Sequence, residues 1–261
     1  MKYDVVVIGA SSAGLYAAEI LAKNGKNVAV FDRAASFAPA KRTYIITPSF
    51  FQVMPEIDPD LIRHKINIIH VQAGNAQAVI QLSSPDLIVD RSQFITTLKN
   101  RAENAGVELF FGSEFLDLQT GNGNTQIKVR SGTGEKLIKA DYLIGADGVN
   151  GAVGKAADLP NPKVVPLLQA EIKLPENWDS GVTKVWFDVK DTPYFYWLIP
   201  ESTEKGVVGL IAEPGANIRK LLDHFLEEGN YQTLGFQSGQ AALHTPGEKL
   251  EKRVGLSLIH I

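Results

Sequence analysis

The stretch V-V-V-I-G-A-S-S-A-G-L-Y-A-A-E, followed shortly by V-A-V-F-D, restricts what this chain can fold into more than any other feature. Val5–Ile8 is a short, wholly apolar run, as expected of a strand buried on both faces. Leu15–Lys23 carries small and apolar residues at helical spacing and stops at the C-cap pair Asn24-Gly25. Asn27–Phe31 is a second β-rich run, ended by Asp32. These segments make one βαβ unit with a right-handed crossover. Gly9 permits the tight turn out of the first strand, and Gly14 lets the helix pack closely on it. Between them Ala10, Ser11, Ser12 and Ala13 present backbone N–H groups at a helix start, where the dipole favours a pyrophosphate. Asp32 is placed to accept a hydrogen bond from a ribose hydroxyl, with Arg33 beside it. The pattern predicts a dinucleotide-binding turn. Ser11 stands where such turns usually carry their second glycine.

Further along, residues 66–72 and 77–82 read as two strands around the turn Ala73-Gly74-Asn75-Ala76, an antiparallel excursion from the parallel sheet. A helix is expected from about Ser92 to Ala105, with Phe94, Ile95, Leu98 and Ala102 on its apolar face and Gly106 as its stop. Val107–Phe111, Phe115–Gln119, Gln126–Arg130 and Lys136–Lys139 alternate with turns and predict a strand and then a β-meander. Tyr142–Ile144 is again a buried parallel-type strand, leading into Gly145-Ala146-Asp147-Gly148. The composition shifts near Leu159-Pro160-Asn161-Pro162. Beyond it, alternating runs at 164–174, 183–190, 194–199 and 206–212 predict a mostly antiparallel sheet, crossed by an amphipathic helix from about Asn217 to Glu228. The fold class is therefore α/β, a Rossmann-type domain with a β-meander, plus an α+β antiparallel-sheet domain.

Composition closes off other classes of function. The net charge is −3, with 26 basic and 29 acidic residues, so no basic field suggests nucleic acid. The absence of cysteine excludes disulfides, thiolate chemistry and Cys-ligated metal. The five histidines show no metal-ligand spacing, and no metal site is expected. The apolar run begins directly after Met1-Lys2-Tyr3-Asp4, so no signal peptide is read, and no stretch approaches the length of a membrane span. A cytoplasmic protein is expected, with peripheral membrane contact left open.

Two more segments bear on the cofactor. Asp90-Arg91-Ser92-Gln93-Phe94 puts a fixed cation at a helix start, and D-Y-L-I-G-A-D-G-V-N ends a strand with Gly145 and Gly148 flanking Asp147. Together and in this order, these elements resemble the flavoprotein family that contains aromatic hydroxylases and geranylgeranyl reductases, over most of residues 1–155. The resemblance implies FAD as the cofactor, with Arg91 contacting it and Asp147 near its pyrophosphate and ribityl chain. It also implies that Phe115 lies beside adenine through its backbone and that Arg42 reaches the cofactor. On this basis residues 1–160 form the FAD-binding domain, with 60–88 reaching toward the substrate-binding domain of residues 161–255.

P-Y-F-Y-W-L-I-P, Pro193 to Pro200, is similar to the aromatic-Trp-Pro motif of the geranylgeranyl reductase branch, with two of the usual aromatics changed. Alternate residues of a strand share a face, so Phe195, Trp197 and Ile199 are expected to make an apolar wall for substrate, with Tyr194 and Tyr196 opposite. The family's third FAD segment, a Gly-Asp turn and helix, is missing. The ending L-S-L-I-H-I is what CTG-TCT-CTT-ATA-CAC-ATC encodes, the end of a common transposase-based sequencing adapter. Residues 256–261 are accordingly expected to be a read-through tail on a longer natural protein.

The resemblance implies an FAD-dependent reductase of carbon–carbon double bonds in an isoprenoid or other apolar substrate, drawing electrons from NAD(P)H or a ferredoxin-type donor. An NAD(P)H-dependent flavin monooxygenase shares every N-terminal feature and stays open, as does an inactive partial FAD-binding fragment. No catalytic acid is identified.

Overall fold

The computed structural model describes residues 2–39, 43–121, 124–132, 134–160, 162–243, 251–253 and 257–260. Arg42 and the tail residues Leu256 and Ile261 lie outside the described residues. The N-terminal pattern folds as β1 (Lys2–Ile8), α1 (Ser12–Lys23) and β2 (Val28–Phe31), with the two strands parallel and Val5 opposite Val28. Val5–Ile8 and the whole of β2 are buried, and burial on both faces is why these strands read as unbroken apolar runs.

Next come β3 (Thr43–Ile46), β4 (Ile62–Ala73) and β5 (Ala76–Asp90). The hairpin of β4 and β5 closes at Gly74, whose φ of 55° a glycine adopts without strain. It is longer than its alternating centre suggests. α2 (Arg91–Asn104) buries Phe94, Ile95, Leu98 and Ala102, the face expected from the periodicity. β6 (Glu108–Phe110), β7 (Glu114–Gly121), β8 (Asn124–Ser131) and β9 (Gly134–Gly145) follow, then the short α3 (Ala152–Ala156).

β9 corrects one expectation. The meander strand at Lys136–Lys139 and the parallel strand at Tyr142–Ile144 are a single strand. Its first half pairs antiparallel with β8 and its second half parallel with β1. No glycine or proline interrupts residues 135–144, and Ala140, at the changeover, is fully buried. Nothing local stops the strand where its partner changes.

The remaining elements are β10 (Lys163–Lys173), β11 (Val182–Phe187), β12 (Tyr196–Pro200), β13 (Lys205–Ile211), α4 (Ile218–Glu228), β14 (Thr233–Leu243), β15 (Glu251–Arg253) and β16 (Ser257–His260). Two compact units result, residues 1–40, 92–163 and 244–261 in the first and 41–91 and 164–243 in the second. The first unit's sheet runs β15-β16-β9-β1-β2-β6, with β8 and β7 extending from β9. β16, inside the hexapeptide read as a tail, pairs in parallel with β9, His260 opposite Gly145. The core of this unit gathers Val6, Ile8, Phe31, Phe115, Ile127 and Leu143.

The second unit's sheet runs β14-β10-β13-β12-β11-β4-β5-β3. Its pairs are antiparallel at β10–β13, β13–β12, β12–β11, β4–β5 and β5–β3, and parallel at β11–β4. That parallel pairing draws residues 41–91 into this unit. α4 starts at Asn217, whose side chain accepts from the Lys220 N–H at 3.1 Å. It lays Leu222 and Leu226 on Ala170, Ile172, Leu198 and Leu210, so its apolar stripe covers the sheet.

Candidate cofactor-binding site

The site is built where two glycine-bearing turns meet. Gly9 leaves β1 with φ of 109°, and its N–H donates to the Phe31 carbonyl at 2.8 Å. A Cβ on Gly9 would run into the Ala146 carbonyl oxygen, and one on Gly14 into the Gly9 carbonyl oxygen, with Ala146 Cβ also only 3.2 Å away. The Ala146 N–H donates to the Ile8 carbonyl at 2.8 Å. The turn after β1, the first turn of α1 and the turn after β9 therefore pack backbone against backbone, which only glycine allows at positions 9 and 14.

Ser11 occupies the N-cap of α1 in an extended conformation, φ −102° and ψ −171°, and its hydroxyl does not cap the first turn. Extended backbone accepts any residue, so the serine replaces the usual glycine without strain. Ser12 and Ala13 open the helix behind it.

Asp32 follows β2, and both oxygens of its carboxylate are engaged by backbone N–H groups. One oxygen accepts the Ala10 N–H at 2.7 Å, tying the glycine turn to the strand end, and the other accepts the Ala34 N–H at 2.8 Å. The same stretch holds the chain before β7. The Ser113 N–H donates to the Asp32 carbonyl at 2.8 Å and the Gly112 N–H to the Ala34 carbonyl at 2.7 Å.

A cleft of about 290 Å³ lies between these elements, with Gly9, Ala10, Ser11, Asp32 and Arg33 along one wall. Phe115, Asp147 and Gly148 line it as well. Phe115 is a core residue and begins a bulge in β7 at 115–117. Asp147 accepts the Val153 N–H at 3.1 Å and so caps α3. A Cβ on Gly151 would fall on that carboxylate. Gly145 is the last residue of β9, backbone-paired with Ile8. Arg91 begins α2 and is not among the lining residues; its neighbour Asp90 is ion-paired with Arg63 at 2.8 Å.

Ser113, Glu114, Asn150, Gly151 and Ala152 also line the cleft and were missed from sequence. The Gly112-Ser113 turn ahead of β7 and the Gly151 after the Gly-Ala-Asp-Gly turn were the available signals.

The expected apolar wall lies in the second unit. Phe195 and Trp197 have ring centroids 6.0 Å apart, and Phe187 extends the row at 5.9 Å from Phe195. Ile199 is half-buried two residues beyond Trp197. Tyr196 points to the opposite face, stacked on Phe225 at 4.5 Å, with its hydroxyl donating to Asp191 at 2.8 Å. The Tyr194 hydroxyl donates to Glu213 at 3.0 Å. Trp197 is 7% exposed, and its buried indole N–H meets no acceptor among the described residues. Phe187 was missed, although its alternate position in β11 beside Trp186 carried the period-two signal.

Among the described residues no group of three His, Asp or Glu side chains could hold a metal ion, and no helix is long and apolar enough to cross a membrane.

Residues 2–219 match the family described as FAD binding domain. The chain belongs to that family. FAD is thus the dinucleotide to test against the cleft, and the residues fit it: the glycine cradle admits no Cβ, α1 aims its N-terminus there, and the Asp32 carboxylate lines the same space. The FAD-binding-domain chain is 32% identical over 211 residues to a geranylgeranyl diphosphate reductase of Rhodobacter capsulatus, covering 77% of this chain and 52% of that protein. It is 25% identical over 262 residues to a digeranylgeranylglycerophospholipid reductase of Methanocaldococcus jannaschii, covering 95% and 67%. The chain thus spans about half to two thirds of the length of these relatives. Among solved structures it superposes on a geranylgeranyl bacteriochlorophyll reductase-like protein of Thermoplasma acidophilum, with a TM-score of 0.85 at 18% identity over 98% of this chain and 70% of that one. The complex of aklavinone-11 hydroxylase with FAD matches at 0.72 and 15% identity, over 98% and 56%. At these identities the superpositions speak to fold alone.

Proposed function

We propose that this chain serves an FAD-dependent oxidoreductase that reduces carbon–carbon double bonds of an isoprenoid or similarly apolar substrate. The observation that carries the reading is the presence, in one chain, of the glycine-lined cleft and of the aromatic row Phe187, Phe195 and Trp197. The reductase names of the similar proteins from Rhodobacter and Methanocaldococcus support the same chemistry. Bound FAD supplies a two-electron carrier able to deliver hydride to a double bond.

The chain's own residues bind and orient. The amides at the start of α1 hold the pyrophosphate, Asp32 fixes the ribose, and Asp147 keeps the second turn in place by capping α3. Arg33, Arg91 and Arg42 are cations for the phosphates in this reading, and the backbone of Phe115 borders the adenine. Phe195, Trp197 and Ile199 form the wall for the prenyl chain. Electrons come from NAD(P)H or a ferredoxin-type donor, and the protein works in the cytoplasm with peripheral access to membrane lipid.

The test is to reduce the purified flavoprotein anaerobically and mix it with geranylgeranyl diphosphate while following flavin absorbance. Reoxidation at the rate of substrate saturation is expected. Reoxidation that requires oxygen, through a rapidly formed hydroxyflavin spectrum, would instead establish a monooxygenase.

A further inference from the structure

The second unit holds a separate cavity of about 430 Å³ at the C-terminal end of α4. Its walls are aromatic, with Trp186 and Phe187 from β11, Tyr196 from β12, Phe225 from α4 and Tyr231 just beyond the helix, so Phe187 borders this cavity as well as Phe195. Trp186 meets Phe225 edge-on at 5.1 Å, and Tyr231 stacks on the same ring at 6.4 Å. Asp188, Asp191 and Glu228 line the same space. Glu228 ends α4, so the negative end of the helix dipole adds to the field.

Aromatic faces and carboxylates around one cavity select for positive charge. An internal example is already present, since Lys184 Nζ lies 4.9 Å from the Trp186 ring centroid. The carboxylates act on a common point. Burial, the hydrogen bond to Asp191 and the charges of Asp191, Asp188 and Glu228 all push the Tyr196 hydroxyl above its ordinary pKa. Asp188 also accepts the Lys190 backbone N–H at 3.0 Å, and His224 sits 3.5 Å from Glu228. These acids do not form a cluster of metal-ligand geometry, and the ring faces favour a cation that has little hydration to lose.

We propose that this cavity binds an alkylated ammonium cation, with the aromatic walls taking its methyl groups and Asp188, Asp191 and Glu228 balancing its charge. The inference is independent of the redox reading. Tetramethylammonium chloride titrated into the 261-residue protein, against sodium chloride at equal ionic strength, is the probe. Calorimetry and tryptophan fluorescence should show saturable binding to tetramethylammonium that sodium does not reproduce. Asp188→Asn with Glu228→Gln, both exposed and replaced by near-isosteres, should weaken it about tenfold, within the range of such interactions, at unchanged thermal stability. Tyr231→Leu should weaken it as well. An equal response to sodium, or tetramethylammonium binding unaffected by the double substitution, would overturn the assignment.

Discussion

Asp32 is engaged on both of its oxygens, by Ala10 and by Ala34. Each bond is charge-assisted and worth roughly 1.5–3 kcal/mol, so the residue matters to the fold, and in the proposed function it also holds the cofactor's ribose. Asp32→Ala should lower the melting temperature and weaken FAD in titrations, whereas Asp32→Asn, keeping one acceptor, should lose less of both. Equal stability in both variants would show that the backbone ties are dispensable. Gly14 is more demanding, because a side chain there would meet the Gly9 carbonyl and Ala146 together. Gly14→Val should abolish retention of FAD, read as flavin absorbance after gel filtration. A Gly14→Val protein that keeps full flavin would remove the basis for the cradle.

At the scale of elements, β9 and α4 behave differently. β9 joins the meander to the parallel sheet, and Ala140 pairs with Thr125 on one side and Tyr3 on the other. A proline there removes a ladder donor from a strand paired on both sides, a place where proline is essentially not tolerated. Ala140→Pro should therefore cause loss of FAD as well as a large fall in melting temperature, both measurable on one preparation. α4 packs onto the second sheet through its apolar stripe. Leu222 is fully buried against the second sheet, and Leu222→Ala should destabilise by about 2–5 kcal/mol in denaturant titrations, while flavin absorbance stays unchanged.

For the molecule as a whole, the cofactor cleft is lined by residues of the first unit and the aromatic row belongs to the second. Trp197→Phe keeps an aromatic face but replaces the larger indole and removes its buried N–H. If the wall binds substrate, that change should raise KM for a prenyl diphosphate with the flavin spectrum and stoichiometry intact. A normal KM would remove Trp197 from the substrate site. Residues near in sequence settled much of this architecture by themselves. The unbroken apolar run at Val5–Ile8, the glycines at 9 and 14 and the acid at 32 specify strand, turn, helix and strand within one stretch from residue 5 to residue 32, so their pattern is legible in the chain. The alternation at 195–199 likewise gave the faces of Phe195 and Trp197. What tertiary structure decided depends on partners far along the chain. The loop at Gly112–Glu114 reaches the cleft because Asp32 and Ala34 accept its amides, and β9 is one strand because β8 and β1 claim successive halves of it. Residues 41–91 enter the second sheet because β4 finds β11. In each case backbone hydrogen bonds do the joining, and every residue carries the same backbone groups, so side-chain sequence leaves no mark of which distant strand or loop will satisfy them.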